Sequence, residues 1–442
     1  MRGDDPSVPD AGEQALELYR AYQSGAGPKV LPRAVRLARR ALARTPPNNA
    51  FLFARLDLLG SLLATSFAHS QNPQELEEAI DVGQQAVSCI PLDHPYRPHC
   101  LWNQVARLHE RYQHAGGIED LNRAIYLGYQ ALDATPEGPE HAAAFSNHSN
   151  QLLERFHRLG DGADLDDAVD FAQQAVDRGG GDDPQSHLGL LHNLANCLRL
   201  RFDLRGELAD LDRSIALGGQ ALDQWPPEHP FRSVAFFDQS NRLWERFLRR
   251  DDPVDLEEAV ALMRRALDSV PADHPSNGLY LRTAANQLLE RVRRRGEVTD
   301  LYRALDCAEL AVARIPPTDA AYALALDILA DCTLERFRRV SRELADLERA
   351  IDLGDQALRA GGPDQPERAT LLAHQSHRLV AGVVAGRTAA DLRTAADLAQ
   401  QALDITPEDA PARSWLIDHQ ASVAQLLESI DTVEAEGRGG PP

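Results

Sequence analysis

The 442-residue sequence predicts an all-α fold made of about nine helical hairpins in tandem. Three observations predict it. One segment recurs at a nearly constant interval, its apolar residues follow the period of an α-helix, and proline or glycine ends each copy. The composition agrees, because 43% of the residues are hydrophobic but only 6% are aromatic. The core is therefore expected to be mainly leucine, alanine and valine, and leucine and alanine favour helices.

The recurring segment begins with acidic residues and an anchor leucine, as in Asp120 to Ile125, DLNRAI. Positions 3, 4 and 10 after the anchor are apolar and share one helical face with it. Acidic residues at the start suit the positive end of the helix dipole. Successive anchors lie 44 to 46 residues apart: Leu31, Leu76, Leu121, Leu165, Leu211, Leu256, Leu301, Leu347 and Leu392.

A second, longer amphipathic segment precedes most of these acidic starts. It is typified by residues 150–156, NQLLERF, and its last turn is rich in arginine, which suits the negative end of a helix. Each shorter helix is expected to end at a helix breaker. The breakers are Pro46, Pro91, Pro136, Pro226, Pro271, Pro316 and Pro407, with glycine instead around Gly180 and Gly362. The repeating unit is therefore a two-helix hairpin of about 45 residues.

The shorter helix has small residues at a fixed distance from its closing proline, as with Ala79, Ala86 and Pro91. This spacing resembles the second helix of a tetratricopeptide repeat (TPR). The period departs from the usual 34 residues, and period alone also fits HEAT and armadillo arrays. The long version is similar to the arrays that precede CHAT protease domains in bacteria. The resemblance implies a right-handed α-solenoid whose longer helices line a concave groove that binds a protein or peptide.

Three segments follow from this pattern. Residues 1–10 are expected to be a disordered N-terminus, and residues 11–429 the solenoid. The solenoid would start with a helix at 11–24 and end with a lone capping helix at 411–429. Residues 430–442 are expected to be a disordered tail, since they are rich in glycine, proline and charge.

The net charge of −21 excludes a typical nucleic-acid surface and disfavours binding to anionic membranes. No run of about 18 apolar residues predicts a membrane span, and no apolar leader follows Met1. The five cysteines are scattered and odd in number, which indicates a reducing, cytoplasmic setting.

No motif predicts catalysis, a cofactor or a metal. His109 and His114 are five residues apart and would point about 140° apart on a helix, so they differ from a zinc-binding H-E-x-x-H pair. His94, His229 and His274 each follow an acidic residue and precede a proline, one per repeat. A role in the turn is favoured over a metal site for these three.

Two polar ladders on the longer helices are the candidate partner-binding residues. The first comprises Asn150, Asn196, Asn241, Asn286 and Asp331. These side chains would either hydrogen-bond a bound peptide or bond across adjacent repeats. The second comprises Arg155, Arg201, Arg246 and Arg291, with Arg111 and Arg336 in the same register. These would either bind an acidic partner or form ion pairs with nearby carboxylates.

The sequence therefore predicts a non-enzymatic scaffold or regulatory adaptor. The resemblance to the CHAT-associated arrays implies that it controls a CHAT-type or other effector encoded separately, or that this chain lacks its effector. The alternative is a small-ligand sensor or enzyme with a pocket in the concave groove. Four residues that break the repeat would line such a pocket: His192, Phe237, Asp238 and His374.

Overall fold

The computed structural model describes residues 10–135, 139–179, 184–226, 228–229, 231–363, 365–408, 410 and 413–438. Within these residues the all-α prediction is confirmed, with 19 α-helices and no strand. The first helices of the hairpins are α1 Ala11–Gln23, α3 Leu52–Ser70, α5 Arg97–Ala115, α7 Pro139–Leu159, α9 Pro184–Arg205, α11 Arg232–Arg250, α13 Asn277–Arg295, α15 Ala321–Arg336 and α17 Arg368–Val384. The second helices are α2 Leu31–Ala43, α4 Pro73–Cys89, α6 Ile118–Ala134, α8 Gly162–Arg178, α10 Leu208–Gln224, α12 Pro253–Asp268, α14 Val298–Arg314, α16 Leu344–Ala360 and α18 Ala389–Ile405. A final helix, α19, spans Arg413–Arg438.

The contacts divide the chain into two units, residues 1–224 and 225–442. The first unit holds the hairpins α1–α2 to α9–α10. The second holds α11–α12 to α17–α18 and then α19. Within each unit a first helix packs on its own second helix, and that second helix packs on the next first helix. Each unit is therefore a stack of hairpins in chain order.

The core consists of the positions that the repeat predicts. In α6, Leu121, Ala124 and Ala131 are fully buried and Ile125 is nearly so. Alanine at these positions leaves little side chain between the helices, so the backbones of adjacent helices lie close together. A hairpin cannot cover this face by itself, and burial is completed by the neighbouring hairpins.

The ends of the helices are closed by repeated contacts. The residue after most first helices has a left-handed backbone, and its N–H bonds the carbonyl four residues earlier, as Gly116 does to Tyr112. The turn role predicted for three histidines is confirmed. The Nδ1 atom accepts a hydrogen bond from the backbone N–H two residues on, at 3.0 Å for His94, 3.3 Å for His229 and 3.2 Å for His274.

The repeat is irregular in α15, which continues into a π-helical turn at Phe337–Ser341. This turn accommodates one extra residue and explains the local spacing of 46. Helix α19 continues to Arg438, past the predicted boundary at 429. Asp10 caps α1. Residues 1–9, the breakers Pro136 and Gly180, and the tail from 439 lie outside the described residues. Along the described chain, no helix combines the length and apolarity needed to cross a membrane.

Candidate binding surface on the first helices

The arginine ladder makes the same contact in six hairpins. Each guanidinium binds a carboxylate in the third position of its own second helix, with Nε to Oδ2 at 2.7–2.9 Å and Nη2 to Oδ1 at 2.6–2.8 Å. The pairs are Arg111–Asp120, Arg155–Asp164, Arg201–Asp210, Arg246–Asp255, Arg291–Asp300 and Arg336–Asp346. These hydrogen bonds raise the pKa of Arg155 and lower that of Asp346. The contacts are those of the ion-pair alternative.

The ladder also joins neighbouring hairpins. In four of the six pairs the remaining nitrogen, Nη1, faces an oxygen on the preceding second helix. The distances are 2.5 Å from Arg111 to Glu77, 3.1 Å from Arg155 to Asn122, 3.9 Å from Arg201 to Asp166 and 3.2 Å from Arg291 to Glu257. One arginine therefore links three helices, and its donors serve the stack. Partner binding by these arginines stays a prediction.

The asparagine row differs from the arginine ladder. Asn150 is exposed, and Asn241 and Asn286 are half-buried. Among the residues that the structure describes, none of these three side chains has a hydrogen-bond partner. Asn196 lies 3.2 Å from Nε2 of His192, so its surroundings are different. Since an amide both donates and accepts, the three side chains can each bond a polypeptide backbone.

A pocket of about 670 Å³ opens between α5 and α7 beside Asn150. Its floor is apolar, with Val105, Ala106 and Ala144, and Trp102 forms part of one wall. Its polar lining residues are His99, His109, Thr135, Asn147, Asn150, Gln151 and Glu154. Nε2 of His109 lies 2.5 Å from a carboxylate oxygen of Glu154. The pocket therefore combines an apolar surface with a few hydrogen-bonding groups, the usual character of a recognition site.

Asp331, the last member of the row, has a different environment from the asparagines. It is buried, and it belongs to an ionic cluster between α13, α15 and α17. Nη2 of Arg378 lies 2.6 Å from one oxygen of Asp331 and 2.6 Å from one of Asp327. Nη2 of Arg293 binds the other oxygen of Asp331 at 2.9 Å. Nδ1 of His374 lies 2.7 Å from Asp327.

Charges within the cluster shift the pKa values of its own members. Burial alone would raise the pKa of Asp331, but Arg378, His374 and Arg293 together hold it well below its usual range. Burial would lower the pKa of His374, and Asp327 and Asp331 raise it instead. The next histidine on α17, His377, has its pKa lowered to about 4 by burial, with Arg338 adding to the effect. The positive charges of Arg378 and Arg293 offset the negative charges of Asp327 and Asp331, so the buried ionic groups stabilise one another within the fold.

The four residues proposed to break the repeat have different neighbours. His192 faces Asn196 on the same helix. Phe237 stacks on Tyr280, with ring centroids 4.6 Å apart, and Asp238 adds to a rise in the pKa of Tyr280 that is caused mainly by burial. His374 belongs to the ionic cluster. The contacts therefore give each of them a local role.

Buried arginines on the first helices were missed by the sequence analysis. Arg107 and Arg378 follow a glutamine by three residues, and that glutamine bonds a backbone carbonyl of the preceding second helix at 3.1 and 3.0 Å. Arg107 then reaches Asp57 at 3.0 Å. A Cβ added to Gly83 or Gly354 would lie within 3 Å of these side chains. The sequence pattern that could have predicted these buried arginines is Q-x-x-R in a first helix together with a glycine in the preceding second helix.

Within the described residues no group of three histidine, cysteine or acidic side chains is arranged to hold a metal ion.

No family model matches the sequence. No curated protein matches it. Solved structures do align with it. The C-terminal part of a TPR repeat-containing protein from Cytophaga hutchinsonii is 14% identical over 72% of this chain and 99% of its own, with a TM-score of 0.45. BtubC from P. vanneervenii is 14% identical over 59% of this chain and 90% of its own, with a TM-score of 0.38. The TPR-like repeats of a kinesin light chain from Podosopora anserina are 15% identical over 51% of this chain and 100% of their own, with a TM-score of 0.35.

Proposed function

We propose that this chain is a TPR-type, protein-binding scaffold whose first helices hold an extended polypeptide. The observation that carries the proposal is the asparagine row. Asn241 and Asn286 occupy the same position on two successive first helices of the second unit, and Asn150 occupies it in the first unit. The amides of all three are without partners among the described residues. Asn150 is exposed and Asn241 and Asn286 are half-buried, so these amides can bond a ligand or water. A polypeptide backbone offers the N–H and carbonyl groups that match them.

The pocket between α5 and α7 supports the same proposal. Trp102 and the apolar floor would take one large side chain of the partner, while Asn147 and Asn150 hold its backbone. Aromatic anchors in apolar pockets commonly supply most of the binding energy at interfaces. The stack of hairpins in the first unit would provide the remaining contact area.

Random-peptide selection on the full chain tests the proposal. A library of 12-residue peptides is selected on the wild type, and the enriched peptides are measured by calorimetry. The test variant combines Asn150→Ala, Asn241→Ala and Asn286→Ala. The control replaces two exposed amides on second helices, Gln85→Ala and Gln401→Ala. We expect at least about tenfold weaker binding for the test variant, because the amide hydrogen bonds to the bound backbone are lost in whichever unit holds the peptide, and no change for the control.

Enriched peptides that bind the triple variant as tightly as the wild type would refute the site. Failure to enrich any peptide would refute the peptide-binding function itself. The rival function is a small-ligand sensor or enzyme, and the His109–Glu154 pair at the pocket edge is the observation that favours it. Under that hypothesis a metabolite co-purifies in stoichiometric amount and is detected by native mass spectrometry.

The resemblance to arrays that precede CHAT protease domains extends the proposal to regulation. On this hypothesis the bound partner is an effector encoded separately, and the scaffold acts in the cytoplasm. Co-expression with candidate effectors from the same genome, followed by size-exclusion chromatography, tests it. A stable complex that is lost in the triple asparagine variant is the expected result, and a complex that persists in that variant contradicts it.

A further inference from the structure

Neighbouring second helices are bridged at a fixed pair of positions. The bridge joins the eighth residue after one anchor leucine to the second residue after the next anchor. Five junctions show it: Arg39–Glu78, Gln84–Arg123, Tyr129–Asp167, Gln173–Arg213 and Glu309–Arg349. Each pairs a donor with an acceptor, and the donor–acceptor distance is 2.9 Å for Arg39–Glu78 and for Arg349–Glu309. These positions therefore normally close the groove between second helices.

The α12–α14 junction has two arginines at these positions, Arg264 and Arg303. Their side chains are 79% and 61% exposed, and each lies 3.7 Å from its nearest carboxylate, Asp268 and Asp300. Asp300 is already bound by Arg291 at 2.8 Å. The α16–α18 junction has Asp355 and Thr394 there. Among the described junctions within the two units, α12–α14 is therefore the only one with two residues of the same charge at these two positions.

The groove at this junction is open and has an apolar floor. A pocket of about 570 Å³ is lined by both arginines, by Arg291, Glu257 and Asp268, and by apolar residues that include Val260, Met263, Leu288 and Cys307. Three arginines against two carboxylates leave the charged lining with a net positive charge. Met263 is 1% exposed and Leu288 is 8% exposed, so the floor is part of the folded core. Pockets of this size hold small organic molecules. Two guanidiniums at the edge of an apolar pocket favour an anion with an apolar body.

We propose that the α12–α14 pocket binds an amphiphilic carboxylate, with its aliphatic chain against the partly exposed Val260, Leu267 and Cys307 above the buried Met263, and its carboxylate between Arg264 and Arg303. Arginine binds carboxylates through paired N–H donors, and a bound anion removes the repulsion between the two cations. The two arginines of the proposed site lie on second helices, and the pocket also includes Gln287, Leu288 and Arg291 of the first helix α13. The asparagine row lies on first helices, and Asn286 is not among the residues that line the pocket. The site is therefore additional to the proposed peptide surface, and either can be wrong without the other.

The chain has only two methionines, Met1 and Met263, which gives a direct probe of the pocket. Protein with ¹³C-labelled methionine methyl groups is titrated with sodium decanoate, with decanol and with acetate. The Met263→Leu variant assigns the signal. The test variant combines Arg264→Gln and Arg303→Gln, and glutamine already occupies the first of these positions in α4 and α8 as Gln84 and Gln173. The control is Arg349→Gln, the matching arginine of the next bridge.

We expect a saturable shift of the Met263 methyl signal with decanoate in the wild type and in the control. In the double variant the affinity should fall by about tenfold or more, since two charged hydrogen-bond donors are lost. Decanol and acetate should bind more weakly than decanoate, because each lacks one of the two features. An unmoved signal, or equal decanoate affinity in the double variant and the wild type, would overturn the proposal.

Discussion

The buried ionic cluster in the second unit should be the most sensitive part of the fold to loss of charge. Arg378 is fully buried, and its Nη2 lies 2.6 Å from both Asp327 and Asp331. Arg378→Met keeps most of the volume but leaves two buried carboxylates short of a counter-charge. Removing one partner of a buried ion pair typically costs about 3–5 kcal/mol. Because Arg293 and His374 remain in place, we expect the lower end, about 3 kcal/mol.

A second substitution separates charge from packing. Adding Asp331→Asn to Arg378→Met removes one uncompensated carboxylate and introduces the residue that four other first helices carry at this position. We therefore expect the double variant to recover about 1–2 kcal/mol relative to Arg378→Met. If the loss in Arg378→Met comes only from packing, Asp331→Asn adds its own cost and stability falls further.

Hydrogen exchange followed by mass spectrometry is the suitable assay, because it measures α15 and α17 separately from the first unit. A loss of about 3 kcal/mol corresponds to roughly 100-fold faster exchange of the protected amides. Arg107→Met is the matched comparison, since Arg107 is also buried but has the single carboxylate of Asp57 at 3.0 Å. Exchange accelerated less than about fivefold in Arg378→Met, or a double variant less stable than the single one, would refute the reasoning.

Three further predictions concern the ladders and the pH response. Asn150→Ala should change the free energy of unfolding by less than about 0.5 kcal/mol. Gln104→Ala removes the buried 3.1 Å hydrogen bond to the backbone and should lower the free energy of unfolding by about 1–3 kcal/mol. Urea titrations of both variants check this. Arg155→Met and Asp164→Asn should each cost about 1–2 kcal/mol but be clearly less than additive together, because they break one contact; additive losses in the double-mutant cycle would show that the two do not interact. Burial lowers the pKa of His377 to about 4, below its unfolded value near 6.5, so the unfolded state binds the proton first and stability falls as pH drops from about 6.5 to 4. His377→Asn should remove roughly 2 kcal/mol of that loss between pH 7 and pH 5, and an unchanged pH dependence of the melting temperature in the variant would contradict the assignment.

The fold was predictable from the sequence because a stack of hairpins is a local structure. Each helix of the repeat carries its own apolar period, its acidic start and its breaker, and these signals depend on neighbours a few residues away. The predicted start of α1 and the number of hairpins agree with the structure. Helix α19 continues to Arg438, past residue 429, where composition alone placed the start of the tail.

The site was only partly predictable. The arginine ladder was identified correctly as a feature, and the sequence left two interpretations of it. The choice between a free guanidinium and an ion pair depends on where Asp164 and its equivalents lie, which is a three-dimensional fact. The asparagine row was treated as uniform, yet Asn150 is exposed and Asp331 is buried among charges. A one-dimensional pattern assigns the same environment to equivalent positions and cannot show how neighbouring side chains change it.

The sequence by itself determined that the chain is helical, that the helices pair, and which leucines and alanines are buried, since periodicity and breakers act within one repeat. Only the tertiary structure decided which polar groups are satisfied. It paired Arg155 with Asp164, placed Arg378 between two carboxylates, and brought Arg264 and Arg303 to the junction where five other pairs of second helices form a bridge. The physical reason is that a hydrogen bond or ion pair depends on ångström distances between residues of different helices, whereas burial of an apolar face needs only the correct side of one helix.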